Sequence, residues 1–179
     1  MPKIIENIRE NLLEEARRQV MEEGYSATTI RSVASACGVG VGTVYNYFPS
    51  KDMLVASFML SDWQECMDAI WACSRKQSGG ESSQPAVLLG CVYDQLKAFS
   101  VKYAPLFADE NAGTSFASAF PQRHQQLRSQ IAEPLQGICA QQEKTDPEFL
   151  AEFVAESMLT WAMADRSFEE ISGILLQLF

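Results

Sequence analysis

A chain of 179 residues, 47% of them hydrophobic, is long and apolar enough for one sizeable core or for a small domain joined to a larger one, which excludes disorder as the main state. Its longest nearly uninterrupted apolar run, Ala86 to Tyr93 with Gly90 inside it, falls far below the roughly 20 residues a membrane-spanning helix needs, so no membrane span is expected. A net charge of −9 repels nucleic acid if spread evenly, but residues 1–52 carry six Lys or Arg against seven Asp or Glu while residues 53–179 carry eight against sixteen, so the acidity lies in the C-terminal two thirds.

The first stretch, MPKIIENIREN, brings acids within ten residues and lacks an apolar segment followed by a small-residue cleavage site, so export is not expected and a cytoplasmic location is. Over residues 4–23, Ile5, Ile8, Leu12, Ala16 and Val20 recur at spacings of three and four, the signature of one face of an amphipathic helix. Gly24 followed by Tyr25 suits a left-handed helix end with an apolar contact behind it. Thr28 or Thr29 caps a second, short helix in which Ile30, Val33, Ala34 and Cys37 share a face. Gly38 stops it, and Val-Gly-Val-Gly leads into a third short helix whose Val44, Tyr47 and Phe48 share a face. Pro49 closes that helix, and Ser50 caps the next.

From Lys51 to Lys76 the pattern stays helical, with Leu54, Val55, Phe58, Trp63, Cys66, Met67, Ile70 and Trp71 as its apolar stripe. Residues 77–85, QSGGESSQP, read as a loop, and a helix is predicted from about Ala86 to Tyr103, ending before Pro105. Residues 105–120, rich in small side chains, give no clear pattern. A polar helix follows from about Gln122 to Lys144, kinked or split by Pro134. Thr145 or Asp146 with Pro147 signals a further helix start, and the chain ends in two strongly one-sided helices. No alternating strand pattern and no repeat occurs, so the expected fold is all-α with about nine helices. Five cysteines, Cys37, Cys66, Cys73, Cys91 and Cys139, form no C-x-x-C pair. That odd count argues against a disulfide framework or zinc ribbon and predicts reduced, mostly buried thiols.

Two short helices joined by a glycine-containing turn and preceded by a supporting helix are the parts of a helix-turn-helix. Thr29 at a helix start offers a hydroxyl to a phosphate, Gly40 and Gly42 let the third helix begin close to a duplex, and Val41 between them is a candidate DNA contact. Thr43, Tyr45 and Asn46 lie off the Val44/Phe48 stripe and can reach base edges or thymine methyls. Arg31, beside Ser32 and Ser35, is a candidate guanine contact or phosphate clamp, with an acidic neighbour as its alternative partner. Phe48 reads as core, Tyr47 as core or contact, and Thr28 as cap or phosphate ligand in exchange with Thr29.

Residues 24–54, GYSATTIRSVASACGVGVGTVYNYFPSKDML, resemble the DNA-binding half of the TetR family of bacterial transcription regulators. The resemblance runs through Gly24-Tyr25, Thr28 to Arg31, Val33-Ala34, Cys37-Gly38-Val39, Gly42-Thr43-Val44-Tyr45, Tyr47-Phe48 and Ser50-Lys51-Asp52 with Leu54, and covers about the first third of the chain. It implies DNA contact by Tyr45 and Tyr47 and a phosphate contact by Lys51, with Lys51→Ala expected to weaken binding at little cost in stability. The chain departs from the family in its N-terminal segment, where Lys3 and Arg9 stand among Glu6, Glu10, Glu14 and Glu15, and in a third helix without Lys or Arg.

His124, the one histidine, is expected to be solvent-exposed, and no phosphate loop, dinucleotide fingerprint or nucleophile elbow occurs, so neither catalysis nor a cofactor or metal is assigned. A C-terminal all-helical domain rich in aromatic residues points to an effector cavity, with Trp63, Met67, Trp71, Tyr93, Phe99, Phe107, Phe116 and Phe120 as candidate walls. Asp62, Asp68 and Asp94 border these stripes and admit a cationic lipophilic ligand, or form a solvated face. Phe149, Phe153, Met158, Trp161, Ile171, Leu175 and Leu178 on the last two helices exceed what one packed face hides, which predicts a homodimer. The whole reads as a helix-turn-helix domain over residues 1–50 and an effector-binding and dimerisation bundle over 51–179. Its expected function is a repressor released from a palindromic operator by a small molecule. An adaptor recruiting a protein partner, or a ligand-binding bundle with little DNA affinity, are the alternatives.

Overall fold

The computed structural model describes residues 7–77, 84–142 and 146–179; the start expected at residue 4, the interior of the 77–85 loop and Thr145 lie outside them. The regular elements among the described residues are all helical: α1 (Ile8–Glu23), α2 (Ile30–Ala36), α3 (Val41–Tyr47), α4 (Lys51–Gln77), α5 (Pro85–Phe107), α6 (Glu110–Ala119), α7 (Arg123–Ala132), α8 (Gln136–Cys139), α9 (Pro147–Met163) and α10 (Phe168–Leu175), with 3₁₀ turns at Glu133–Leu135 and Leu176–Leu178. None of these helices is long and apolar enough to cross a membrane.

Packing divides the chain into two units, one of residues 7–62 and 103–121, the other of residues 63–102 and 122–179. The first unit therefore takes in the first turns of α4 and all of α6 besides the helix-turn-helix, whereas the sequence pattern puts a boundary at residue 50. Leu54, Val55 and Phe58 of α4 are buried, and that burial is why the unit does not stop at Pro49. Its core is completed by Leu12, Ala16 and Val20 of α1, Ile30, Val33 and Ala34 of α2, and Val44 and Phe48 at α3. A polar centre sits within it: Arg17 donates two hydrogen bonds of 2.7 Å to the buried Asp62 carboxylate, and the Tyr103 hydroxyl donates a third of 2.6 Å. Asp62 is thus part of the scaffold and is corrected from a candidate ligand counter-charge.

Helix α5 runs two residues past the proline expected to stop it. Pro105 lies in the last turn, where its missing N–H removes a single bond, and Leu106 beyond it is buried. The stretch without a clear pattern after it holds α6, started by Asp109, whose carboxylate accepts from the backbone N–H groups of Asn111 at 3.0 Å and Ala112 at 3.1 Å. Asp109 also takes the Ser26 hydroxyl at 2.9 Å, and Asn111 Nδ2 donates to Ser26 Oγ at 3.0 Å.

The second unit is built around Trp63, Ile70, Leu89, Val92, Leu135, Val154 and Met158. Pro134 splits the polar helix into α7 and α8 through the 3₁₀ turn. Asp146 caps α9 by accepting from Phe149 N–H at 2.8 Å, with Pro147 in the first turn, and Ser167 and Glu170 form a capping box on α10. At Gly90 an added Cβ would lie 3.3 Å from the Phe168 ring, so glycine permits that close approach. The expectation of five free thiols is corrected: Cys73 on α4 and Cys91 on α5 are joined, their Cα atoms 6.5 Å apart, which the cysteine count alone does not reveal. Cys66 and Cys139 are core thiols that burial pushes up to about 11.

Three carboxylates bind more strongly to protons in the unfolded chain than in the fold. The Ala112 N–H holds Asp109 below the usual aspartate value, the Ser167 N–H does the same for Glu170, and the Arg18 guanidinium does so for Glu15. Their contribution is therefore fully present above about pH 4.5 and is lost as pH falls through their lowered native values. Thermal melts followed by circular dichroism between pH 6 and 3 are expected to show a progressive fall in Tm, and Asp109→Asn is expected to flatten that fall. A Tm rising on acidification contradicts the assignment.

Candidate nucleic-acid interface

The turn after α1 begins at Gly24, whose φ of 93° and ψ of 157° lie in a region open essentially to glycine, rather than in the left-handed helical region expected from the sequence. Its N–H still donates to Val20 O at 3.1 Å, and Tyr25 behind it is buried as expected. The Thr28 hydroxyl donates to Gly24 O at 2.9 Å and the residue is buried, so Thr28 holds the turn and is corrected from a DNA contact. Thr29 is the cap of α2. Its Oγ1 accepts from Ser32 N–H at 2.9 Å, and Ser32 Oγ accepts from Thr29 N–H at 3.0 Å.

Buried Ile30, Val33 and Ala34 fix α2 against the core and turn Arg31 outward, exposed and without an ion pair among the described residues. Gly38 then takes φ 67°, and the Val39 N–H reaches back to Ala34 O at 2.9 Å, closing the turn between α2 and α3. Glycine fits because that left-handed conformation costs it no Cβ clash.

Helix α3 is two-sided. Val44 is fully buried and Phe48 nearly so, while Tyr45 is 51% and Tyr47 44% exposed, with Val41, Gly42 and Asn46 also on the outside and Thr43 at the margin. Gly40 precedes the helix in extended conformation. Tyr47, open to both readings from sequence, thus joins the exposed side. The outward residues expected from sequence on α3, together with Arg31, are presented on the surface of one unit.

Lys51, like Thr28, departs from the expected contacts. Its ammonium donates to Tyr25 O at 2.9 Å and Thr28 O at 3.2 Å, and lies 3.7 Å from the centre of the Tyr25 ring. Burial lowers its pKa below the ordinary lysine value. Tyr25 in turn donates to Asp52, and burial with that bond pushes its hydroxyl up to about 12. Lys51→Ala is therefore expected to cost about 1–2 kcal/mol of stability, against the small cost that the family resemblance implies; a melt within about 0.5 kcal/mol of the parent contradicts this.

Cations are scarce near the interface. Arg9 lies 5.5 Å over the Phe48 ring, and Arg18 is held by Glu15 and Glu22 at 2.8 and 2.6 Å. Those pairs neutralise part of the acidic α1 surface. Ser26, Asp109 and Asn111, which hold the turn before α2, are not among the residues expected from sequence; Asp109-Glu110 is a capping signal for the start of α6, but it does not reveal the contact with Ser26.

The eight candidate effector walls fall into two sets. Trp63, Met67, Trp71, Tyr93 and Phe99 belong to the second unit, where Trp63 Nε1 donates to Gln130 Oε1 at 2.6 Å and its ring meets Phe99 edge-on at 5.3 Å. Tyr93 is buried, with its hydroxyl on Arg166 O at 2.9 Å. Phe107, Phe116 and Phe120 belong to the first unit: Phe116 lies 6.1 Å from the Tyr25 ring and 5.9 Å from Phe120, and Phe107 lies 6.3 Å from Tyr103. His124 is exposed as expected, and its Nε2 lies 2.9 Å from Glu156.

The candidate dimer residues divide as well. Phe149 (65%), Phe153 and Trp161 are exposed on α9, and Leu178 is half-buried, but Met158, Ile171 and Leu175 are buried core of the second unit and are corrected from interface residues. Ile174, outside the expected set, is exposed on α10.

Residues 12–58 match the family model described as bacterial regulatory proteins, tetR family. The regulator UidR of Escherichia coli K12 is 27% identical over 59 residues, which is 33% of this chain and 30% of UidR. BetI of Burkholderia thailandensis is 31% identical over 84 residues, 47% of this chain and 41% of BetI. The matched stretches thus span less than half of either relative. Over nearly the whole chain the fold is similar to the TetR-family repressor AlkX of a Dietzia strain, with TM-score 0.61, 16% identity, and coverage of 93% of this chain and 97% of that one. It is also similar to Thermus thermophilus FadR, solved with lauroyl-CoA, with TM-score 0.59, 21% identity, and coverage of 95% and 92%. Residues 12–58 thus form a domain like that of the tetR family of bacterial regulatory proteins, within a chain whose all-helical fold is similar to solved structures of that family.

Proposed function

We propose that the chain is a DNA-binding transcriptional regulator, acting as a repressor, that places α3 in the major groove of a pseudo-palindromic operator as a homodimer. The observation carrying this reading is α3 itself, a seven-residue helix with Val44 buried and Tyr45 and Tyr47 exposed, inside a match to a regulator family. Tyr45, Asn46 and Tyr47 are exposed on a short helix held by a tight glycine turn, where such side chains can meet base edges. Selection of genomic fragments with the purified protein is expected to enrich a small number of sites. Uniform recovery contradicts the reading and favours a bundle with little DNA affinity, to which the acidic residues of α1 lend support.

Homodimerisation is supported by the exposed Phe149, Phe153 and Trp161 of α9 and Ile174 of α10, large apolar groups that a second copy would cover. Light scattering at micromolar concentration is expected to give twice the 19.9 kDa chain mass, and Phe153→Asp to shift it toward one chain. Monomer mass for the parent protein contradicts it. The effector is a small molecule that meets Trp63, Met67 and Trp71 on α4, which runs unbroken from Lys51 directly after α3. Displacing that helix changes the spacing of the two recognition helices, which must stand about 34 Å apart.

A further inference from the structure

Resting on the DNA-binding reading, we propose that α3 reads A·T base pairs, with Asn46 recognising an adenine through a notch left by Gly42 and with Val41 and Thr43 meeting thymine methyl groups. Guanine offers the acceptors O6 and N7 to the major groove and is read chiefly by Arg or Lys, while cytosine offers an N4 donor that Asp or Glu accepts. Helix α3 carries none of these four residue types. Its outward polar and apolar groups instead match the other pair. An asparagine amide both donates to and accepts from adenine N7 and N6, and a β-branched methyl fits beside the thymine C5 methyl.

The placement on the helix adds an independent argument. Gly42 and Asn46, four residues apart, form the ridge lying opposite the buried Val44 and Phe48. A Cβ built at Gly42 meets nothing within 4 Å, and the residue does not need positive φ, so the fold places no demand for glycine there. Glycine within a helix is nonetheless among the poorest choices for stability. Among the described residues nothing takes up the space a Cβ at 42 would fill. An outside surface benefits from glycine: without a side chain at 42, the helix backbone approaches the groove floor closely enough for the short Asn46 amide to reach a base edge. Arg31, the exposed cation of the motif, stands on α2 and is assigned to a phosphate.

Selection of randomised duplexes with the full chain, followed by binding measurements on the enriched site, tests this. The enriched half-sites are expected to have an A·T core under α3. Asn46→Ala is expected to erase the preference at one adenine per half-site, a discrimination of about 5- to 150-fold, while leaving the flanking thymines selected. Gly42→Ala is expected to raise Tm and to weaken every site together, which separates groove approach from folding. A G·C core, or a motif unchanged by Asn46→Ala, overturns the inference and leaves the DNA-binding reading standing. No enrichment at any salt concentration removes both.

Discussion

Val44→Asp is expected to unfold the first unit, while Tyr45→Ala, one residue along, is expected to leave its stability within about 0.5 kcal/mol and to lower operator affinity at least about tenfold. The contrast follows from the two faces of α3. Val44 is fully buried, and a carboxylate placed there loses its hydration with no cation provided for it, a cost of several kcal/mol against a total stability of about 5–15 kcal/mol. Tyr45 has half its surface in solvent and no core role to lose. Thermal melts by circular dichroism and anisotropy of a labelled duplex separate the two effects. Equal melting of both variants with the parent, or equal unfolding of both, contradicts the assignment of faces.

Arg17→Met is expected to destabilise the protein by roughly 3 kcal/mol, far more than its partly exposed position on α1 indicates. It removes two charge-assisted hydrogen bonds from a buried carboxylate and the guanidinium that lies 5.3 Å over the Phe58 ring. The double variant Arg17→Met/Asp62→Leu is expected to be more stable than Arg17→Met alone, because the buried charge goes with its partner. Urea titrations give the cycle; additive losses from Arg17 and Asp62 contradict a coupled pair.

Local patterns make the helix-turn-helix legible in the amino-acid sequence. Its glycines, caps and apolar positions all act over three to five residues, and those spacings fix the Val44/Phe48 inner face and the Gly38 turn. The role of Asp62 is not legible in that way, because its partners Arg17 and Tyr103 are 45 and 41 residues away and only the fold brings them together. Separation in sequence, 18 residues for the Cys73–Cys91 link and 83 for the Ser26–Asp109 contact, hides these as well. On α9 and α10 the apolar positions wrap more than one face. Periodicity cannot then tell Met158, which fills the second unit's core, from Phe149 and Phe153, which face solvent. Lys51 shows a related limit: family resemblance assigns its charge to a phosphate, whereas three-dimensional packing gives two of its donors to backbone carbonyls.

The central claim, that two copies of this chain present paired α3 helices to one duplex, is tested most directly by hydroxyl-radical footprinting of the purified protein on its strongest genomic fragment. Two protected segments related by a dyad and centred about one helical turn, roughly 34 Å, apart are expected, both lost with Tyr45→Ala. Protection of a single half-site, or uniform protection unchanged by that substitution, contradicts it.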